Sequence, residues 1–197
     1  MSLSPEFIAK ARAIAFYRKF KVRRARRARR DGDAGCDDKG LPGWTKLGAG
    51  HFGEAWGHAD HTGYVVKISG RAAFGAGALC TEKPSLDGWP TFAQHCRAHP
   101  HPNLPKILHF ERLSVGISFG IMPYYKGIDP DGVTADGEIV SQWRDYLAGG
   151  KGAPEWMWPI IGMRGALGMV VDLHDGNVMM DMDTGDYIMT DPFSFVD

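Results

Sequence analysis

Residues 170–180, VVDLHDGNVMM, and residues 187–195, YIMTDPFSF, decide how this chain reads. Apolar residues run through both stretches, and the break between them, DMDTGD (181–186), is rich in turn formers. The pair therefore reads as a loop followed by a terminal hairpin. Asp172, Asn177 and Asp191 stand out against that apolar background. Asp172 and Asn177 are five residues apart, and Asp191 follows fourteen residues later, after one hairpin. Taken singly, each acid reads as a capped turn, because aspartates in loops are common. Together they supply what transfer of a phosphoryl group needs. One carboxylate stands near the acceptor hydroxyl, and two oxygen ligands hold Mg²⁺ against the phosphates. Asp172 suits the first role, Asn177 and Asp191 the second.

Working outward, LGAGHFGEAW (47–56) holds Gly48, Gly50 and Gly53 in a G-x-G-x-x-G pattern. A dinucleotide-binding turn requires a helix directly after the third glycine. Here the following residues alternate as a strand does, which excludes that class. No G-x-x-x-x-G-K-[ST] occurs, which argues against a P-loop enzyme. A glycine-rich hairpin remains, with a backbone able to approach phosphates closely. Lys67 lies in GYVVKIS (63–69), fourteen residues after Gly53. An isolated lysine in an apolar strand usually marks a solvated edge. One strand after a glycine hairpin, it fits an anchor for the α- and β-phosphates of ATP.

From Trp44 to the end, this order of motifs resembles the protein-kinase-like superfamily. HPNLPKILHF (101–110) is similar to the helix-to-strand junction of kinases. GIMPYYKG (120–127) resembles their interlobe hinge, which implies adenine contacts around Met122 and Tyr124. A narrower resemblance is to the early serine/threonine protein kinases of T-seven-like bacteriophages. It rests on LGAGHF (47–52), DLHDGN (172–177) and IMTDPFSF (188–195). This resemblance implies ATP and Mg²⁺ as cofactors, with Gly48, Gly50, His51, Phe52 and Gly53 covering the phosphates and Lys67 anchoring them. It implies Asp172 as the base, and Asn177 and Asp191 as metal ligands. His174 occupies the place where many protein kinases carry a lysine beside the γ-phosphate. It also implies host bacterial proteins, including transcription and RNA-processing machinery, as substrates in the host cytoplasm. D-L-H-x-G-N is also similar to the form found in aminoglycoside and choline kinases, so a small-molecule acceptor is one alternative.

The pattern departs from the usual kinase in two places. The predicted helix 87–98 contains no glutamate to pair with Lys67. Glu82 is the nearest candidate, and Gln94 could orient the lysine only by hydrogen bonding. Six residues follow Asp191, so the second lobe is expected to be short, without an activation segment. A kinase-like protein that binds a host factor without catalysis is the second alternative. Thr190 and Ser194 flank the metal-binding aspartate and are candidate autophosphorylation positions.

The 197 residues carry no net charge, but the sum hides a split. Residues 1–30 hold eleven Lys or Arg against one acid, Glu6, while the remainder holds twelve bases against twenty-two acids. The stretch 18–30, RKFKVRRARRARR, is a candidate contact for nucleic acid or for an acidic protein surface. It could also lie against the acidic body. No apolar run approaches the roughly 20 residues of a membrane helix, so no membrane partner is expected. Cys36, Cys80 and Cys96 show no paired spacing, which fits a reducing compartment. His95, Cys96, His99 and His101 lack the ligand spacing of known zinc sites.

The expected fold is α+β: a two-lobed protein-kinase-like fold with a shortened C-terminal lobe and an N-terminal basic helix. A basic helical arm is read over 1–30, opened by Ser4-Pro5-Glu6, and a Gly/Asp-rich linker over 31–43. The kinase-like domain is read over 44–197, with the lobes meeting near 122–123. Strands are expected in 44–50, 53–59, 63–69, 106–113 and 116–125. Helices are expected at 87–98, 134–148 and 154–170.

Overall fold

The structure, a computed structural model, describes residues 3–30, 41–49, 53–70, 88–114, 117–128, 135–149 and 151–195. It contains both helices and antiparallel sheet, and the chain divides into two compact units. One comprises Met1–Asp87 with Ile107–Pro123, the other Gly88–Lys106 with Tyr124–Asp197. The unit boundary near the predicted hinge falls between Pro123 and Tyr124.

The first unit is built on a five-stranded sheet. Its strands are β1 (Trp44–Ala49), β2 (Gly53–His58), β3 (Tyr64–Gly70), β4 (His109–Ser114) and β5 (Ile117–Pro123). They lie in the order β1-β2-β3-β5-β4, every neighbouring pair antiparallel. Helix α1 (Pro5–Arg30) opens as the sequence suggests. The Ser4 hydroxyl accepts from the Phe7 N–H at 3.1 Å, which satisfies one of the donors that a helix start leaves over.

Phe7, Ala11, Ile14 and Ala15 recur at helical spacing and are buried against Trp56, Val66, Ile68, Phe119 and Ile121. The front half of α1 is therefore part of this unit's core rather than a detached arm. Arg18 goes with it. Read from sequence as the start of the exposed basic stretch, it is 5% exposed. The cause is Glu54 on β2, whose carboxylate accepts from Arg18 Nε at 2.8 Å and from Arg18 Nη2 at 2.6 Å. The Trp56 indole N–H donates to the same carboxylate at 2.9 Å.

The second unit opens with α2 (Gly88–Ala98), which buries Trp89, Phe92, Ala93 and Cys96 at i, i+3, i+4 and i+7. Gln94 falls on its exposed side. After β6 (Lys126–Gly127) come α3 (Ala135–Leu147) and α4 (Trp158–Leu167), the latter entered through a 3-10 turn at Glu155–Met157. The helix expected over 154–170 stops early. Gly168 adopts φ 64°, a left-handed cap that favours glycine, and the chain emerges as strand. That strand is β7 (Met169–Val171), followed by β8 (Val178–Met180), β9 (Tyr187–Met189) and β10 (Phe193–Phe195). β7 pairs antiparallel with β10, and β8 lies between β6 and β9. The terminal region is thus two small interlocked sheets rather than a single hairpin.

The His95 and His99 rings stack at 4.6 Å between centroids, and His101 stacks on Trp156 at 4.7 Å. Burial pushes the Cys96 thiol well above its ordinary pKa, so it stays protonated and packs as a small apolar group. No described helix is long and apolar enough to cross a membrane.

Candidate active site

The candidate residues fall in both units, and each set has its own internal geometry. In the first unit, residues paired directly across antiparallel strands share a sheet face. Lys67 on β3 is opposite Ala55 on β2 and Gly120 on β5. Ala55 is also opposite Gly48 on β1, and Val65 is opposite Met122. Strand alternation places Val66 and Ile68 on the α1 side and Lys67 on the other. Gly48, Ala55, Lys67, Gly120 and Met122 therefore form one surface. It is a half-buried lysine flanked by a methyl group on one side and a bare backbone on the other. Flat, apolar adenine and a phosphate chain suit such a surface.

The two described glycines of the hairpin are glycines for different reasons. A Cβ on Gly48 would meet nothing within 4 Å, whereas one on Gly53 would lie 2.9 Å from the Ile68 carbonyl oxygen. Gly53 is thus required by the close approach of β2 to β3. Gly50, His51, Phe52 and Glu82 lie outside the described residues.

In the second unit the sequence triplet becomes a backbone knot. β7 pairs with β10 so that Val171 is opposite Phe193, and the Asp172 N–H continues the ladder to the Pro192 carbonyl at 2.9 Å. β8 pairs with β9 so that Val178 is opposite Met189. The next position is closed by Thr190, whose N–H and hydroxyl both donate to the Asn177 carbonyl, at 2.9 and 3.0 Å. Asp191 is therefore held from both sides, between a residue bonded to Asn177 and one bonded to Asp172. Across the loop, the Asn177 side-chain amide donates to the Asp172 carbonyl at 2.7 Å. That bond uses the nitrogen end of the amide and leaves Oδ1 for another partner. The Asp172 side chain is exposed, and Asn177 and Asp191 are half-buried.

His174 is engaged inside the loop. Its Nδ1 lies 3.0 Å from the Gly176 N–H and 3.5 Å from an Asp175 carboxylate oxygen. Its Nε2 lies 3.0 Å from the Asn177 amide nitrogen.

Sequence reasoning missed three supporting residues. Asn103, read only as part of a helix-to-strand junction, accepts from the Met189 N–H through its carbonyl, and its side chain donates to the Tyr187 carbonyl. It thereby pins β9, the strand that leads to Asp191. Thr190 was noted only as a phosphorylation candidate. Arg144 on α3 donates through Nε to the Leu173 carbonyl at 2.9 Å, one residue from Asp172. No local pattern distinguishes that arginine from any other on a helix surface. Beside the loop, a shallow depression of about 190 Å³ is lined by Ile128, Asp136, Gly137, Val140, Ser141, Arg144 and Asp175.

The donor set accords with Mg²⁺. An amide oxygen and a carboxylate are hard ligands, and this ion usually takes one or two protein groups together with phosphates and water. Among the described residues, no group of three or more His, Cys, Asp or Glu side chains could hold a metal by itself.

Comparison with solved structures finds, among others, the crystal structure of Rad53 1-466 in complex with AMP-PNP, at 16% identity and a TM-score of 0.37. The match covers 75% of this chain and 36% of that one, so this chain spans about a third of the length of the structure it matches. No protein-family model and no curated protein matches the chain.

Proposed function

We propose that the chain is an ATP-dependent phosphotransferase of the protein-kinase-like type, acting on serine or threonine hydroxyls of proteins in a bacterial host's cytoplasm, as the phage kinases it resembles do. The observation that carries this reading is the knot in which the loop carrying Asp172 and Asn177 and the segment carrying Asp191 are joined by one connected set of backbone and side-chain hydrogen bonds. In the proposed reaction a bond forms between the acceptor oxygen and the γ-phosphorus. The bond from that phosphorus to the β,γ-bridging oxygen breaks, and ADP leaves. Asp172, exposed at the loop, accepts or orients the hydroxyl proton. Lys67 anchors the phosphates on the bare lane between Ala55 and Gly120, and Gly48 leaves room above its strand. Asn177 Oδ1 and the Asp191 carboxylate would hold Mg²⁺, which when bound neutralises charge on the phosphates. Most of the rate enhancement in this chemistry comes from positioning and charge stabilisation.

The test is to incubate the purified chain with Mg-ATP and bacterial lysate, then map new phosphosites by mass spectrometry beside an Asp172→Asn variant. New Ser/Thr sites that disappear in the variant support a protein kinase. Identical maps refute it. A second acceptor class is favoured by one observation: the depression beside the loop carries two carboxylates, Asp136 and Asp175, and the Ser141 hydroxyl against one cation, Arg144, whose Nε is engaged by the Leu173 carbonyl. That lining suits a cationic small molecule, and phosphorylation of an aminoglycoside or choline instead of protein would select it.

A further inference from the structure

We propose that Arg18 is a positioning residue for the glycine-rich hairpin: from behind the sheet it grips the Glu54 carboxylate, and so holds the stem of β1 and β2 over the phosphates. The inference rests on the functional reading above and deepens it by giving α1 a part in nucleotide binding.

The hairpin takes its rigidity from β2. On β1, residues 45–49 are all exposed, so that strand is fixed by its ladder to β2 rather than by packing of its own. β2 alternates between two environments. Gly53, Ala55 and Gly57 are half-buried, and Ala55 is opposite Lys67 on the proposed nucleotide face. Glu54, Trp56 and His58 are buried on the other face, where α1 lies. α1 runs the length of that second row. The Phe7 ring lies 6.4 Å from the His58 ring at one end, and Arg18 binds Glu54 at the other. From Phe7 to Arg18 the helix rises about 16 Å, and from Glu54 to His58 the strand rises about 13 Å, so one helix meets both ends of the strand.

At the His58 end the contact is between rings, and at the Glu54 end it is a charged fork. Glu54 is opposite Ala49 on β1 and Ile68 on β3, so it stands at the last described pair of the hairpin before the turn. Gly53, one residue nearer the turn, lies tightly against β3. Arg18 fixes the same stem from behind through bonds of 2.8 and 2.6 Å, and the Trp56 indole N–H donates to the same carboxylate from along the strand. A buried apolar pair would seat the helix as firmly. What a guanidinium fork on a carboxylate adds is direction, because paired donors fix the angle as well as the distance. That demand falls where a small displacement matters, since phosphoryl transfer relies on holding the phosphates in place.

The test compares wild type with the Arg18→Met/Glu54→Leu double variant, with Arg18→Lys and with Arg12→Gln, and circular dichroism checks that each is folded. The double variant removes the fork without leaving a buried charge, and Arg18→Lys keeps the charge without the fork. Arg12→Gln cuts the bonds from α1 to Glu111 on β4, at the opposite edge of the sheet from the hairpin. The probes are AMP-PNP with Mg²⁺, followed by calorimetry, and adenosine, followed by saturation-transfer NMR. The double variant is expected to bind AMP-PNP about tenfold more weakly, because a freed stem residue has to be ordered on binding. Its affinity for adenosine, which has no phosphate for the hairpin to cover, is expected to match wild type. Arg18→Lys is expected to shift in the same direction by a smaller factor, and Arg12→Gln to bind both probes as wild type does. Three results overturn the proposal: unchanged AMP-PNP affinity in the folded double variant, equal losses for AMP-PNP and adenosine, or an equal loss of AMP-PNP affinity in Arg12→Gln. The second returns the pair to a purely structural seat. Should the double variant not fold, Arg18→Lys decides, and AMP-PNP affinity equal to wild type overturns the proposal. If wild type itself binds no AMP-PNP, the phosphotransferase reading falls and this inference with it.

Discussion

Replacing Arg18 by methionine should unfold the first unit far more readily than any exposed charge substitution. The Arg18 and Glu54 side chains are 7% and 5% exposed and are joined by two short hydrogen bonds. The Arg18 guanidinium carbon also sits 5.2 Å from the centre of the Trp56 ring. Removing Arg18 leaves the Glu54 carboxylate buried with the Trp56 indole N–H as the remaining donor of the three described above. Breaking one side of such a pair costs about 3–5 kcal/mol, because the other charge stays out of water without its partner. Against a total stability of about 5–15 kcal/mol, that loss is a large share. With a urea slope of roughly 1–3 kcal/mol per molar, the midpoint should fall by at least about 1 M. The decisive comparison is Arg18→Met with Glu54→Leu. Removing both charges removes the buried orphan, so the double variant should be more stable than Arg18→Met alone. The coupling should be about 1–3 kcal/mol. The assay is urea unfolding followed by circular dichroism. A midpoint shift below about 0.3 M for Arg18→Met, or strict additivity in the double variant, refutes the claim that this pair seats α1 in the core.

Other consequences follow from the same unit and from the charge split. His58 is buried among Phe7, Trp44 and His61, and desolvation, then the nearby Lys10 charge, lower its pKa below the ordinary 6.5. The folded state therefore binds this proton less readily than the unfolded chain, and the first unit should lose stability as pH falls below about 6.5. Urea midpoints at pH 7.5 and 5.5 test this, with His58→Gln expected to flatten the difference. Glu111, held low chiefly by its hydrogen bond from Arg12, acts in a separate and more acidic window, below the usual carboxylate range. Residues 19–30 hold eight Lys or Arg and no acid. We expect them to give nucleic-acid binding that weakens steeply as salt rises. Fluorescence anisotropy with labelled RNA and DNA would show it. Binding indifferent to salt, or unchanged when these arginines become glutamine, rules it out.

What the sequence makes legible is what the backbone repeats locally. The apolar spacing of Phe7, Ala11 and Ile14 announces a helix with one buried side, and the structure buries all three. The same stretch does not announce that Arg18 belongs with them, because its partner Glu54 lies thirty-six residues away on a strand. Gly48 and Gly53 look alike in G-x-G-x-x-G, yet only Gly53 is demanded by a neighbouring strand, a requirement that appears once β2 and β3 are paired. Helix 154–170 was overrun because apolar residues continue through Met169, Val170 and Val171. The strand they form is explained by pairing with β10.

The Asp172, Asn177 and Asp191 spacing could be read because strand pairing converts chain distance into position. Asn177 is one step beyond the Val178–Met189 pair, and Asp172 is one step beyond Val171–Phe193. Asp191 can lie between those steps only if one residue, Thr190, separates Met189 from it and one, Pro192, separates it from Phe193. A one-residue slip in a strand turns every following side chain to the opposite face. An insertion within Asp183–Gly185, at the tip of the turn, leaves both ladders in register, whereas one at Thr190 breaks the double bond to Asn177 and turns Asp191 away. The site thus depends on the count of residues between the strands more than on the turn's composition. That count is also why three polar residues in an apolar stretch carry a reading that none of them carries singly.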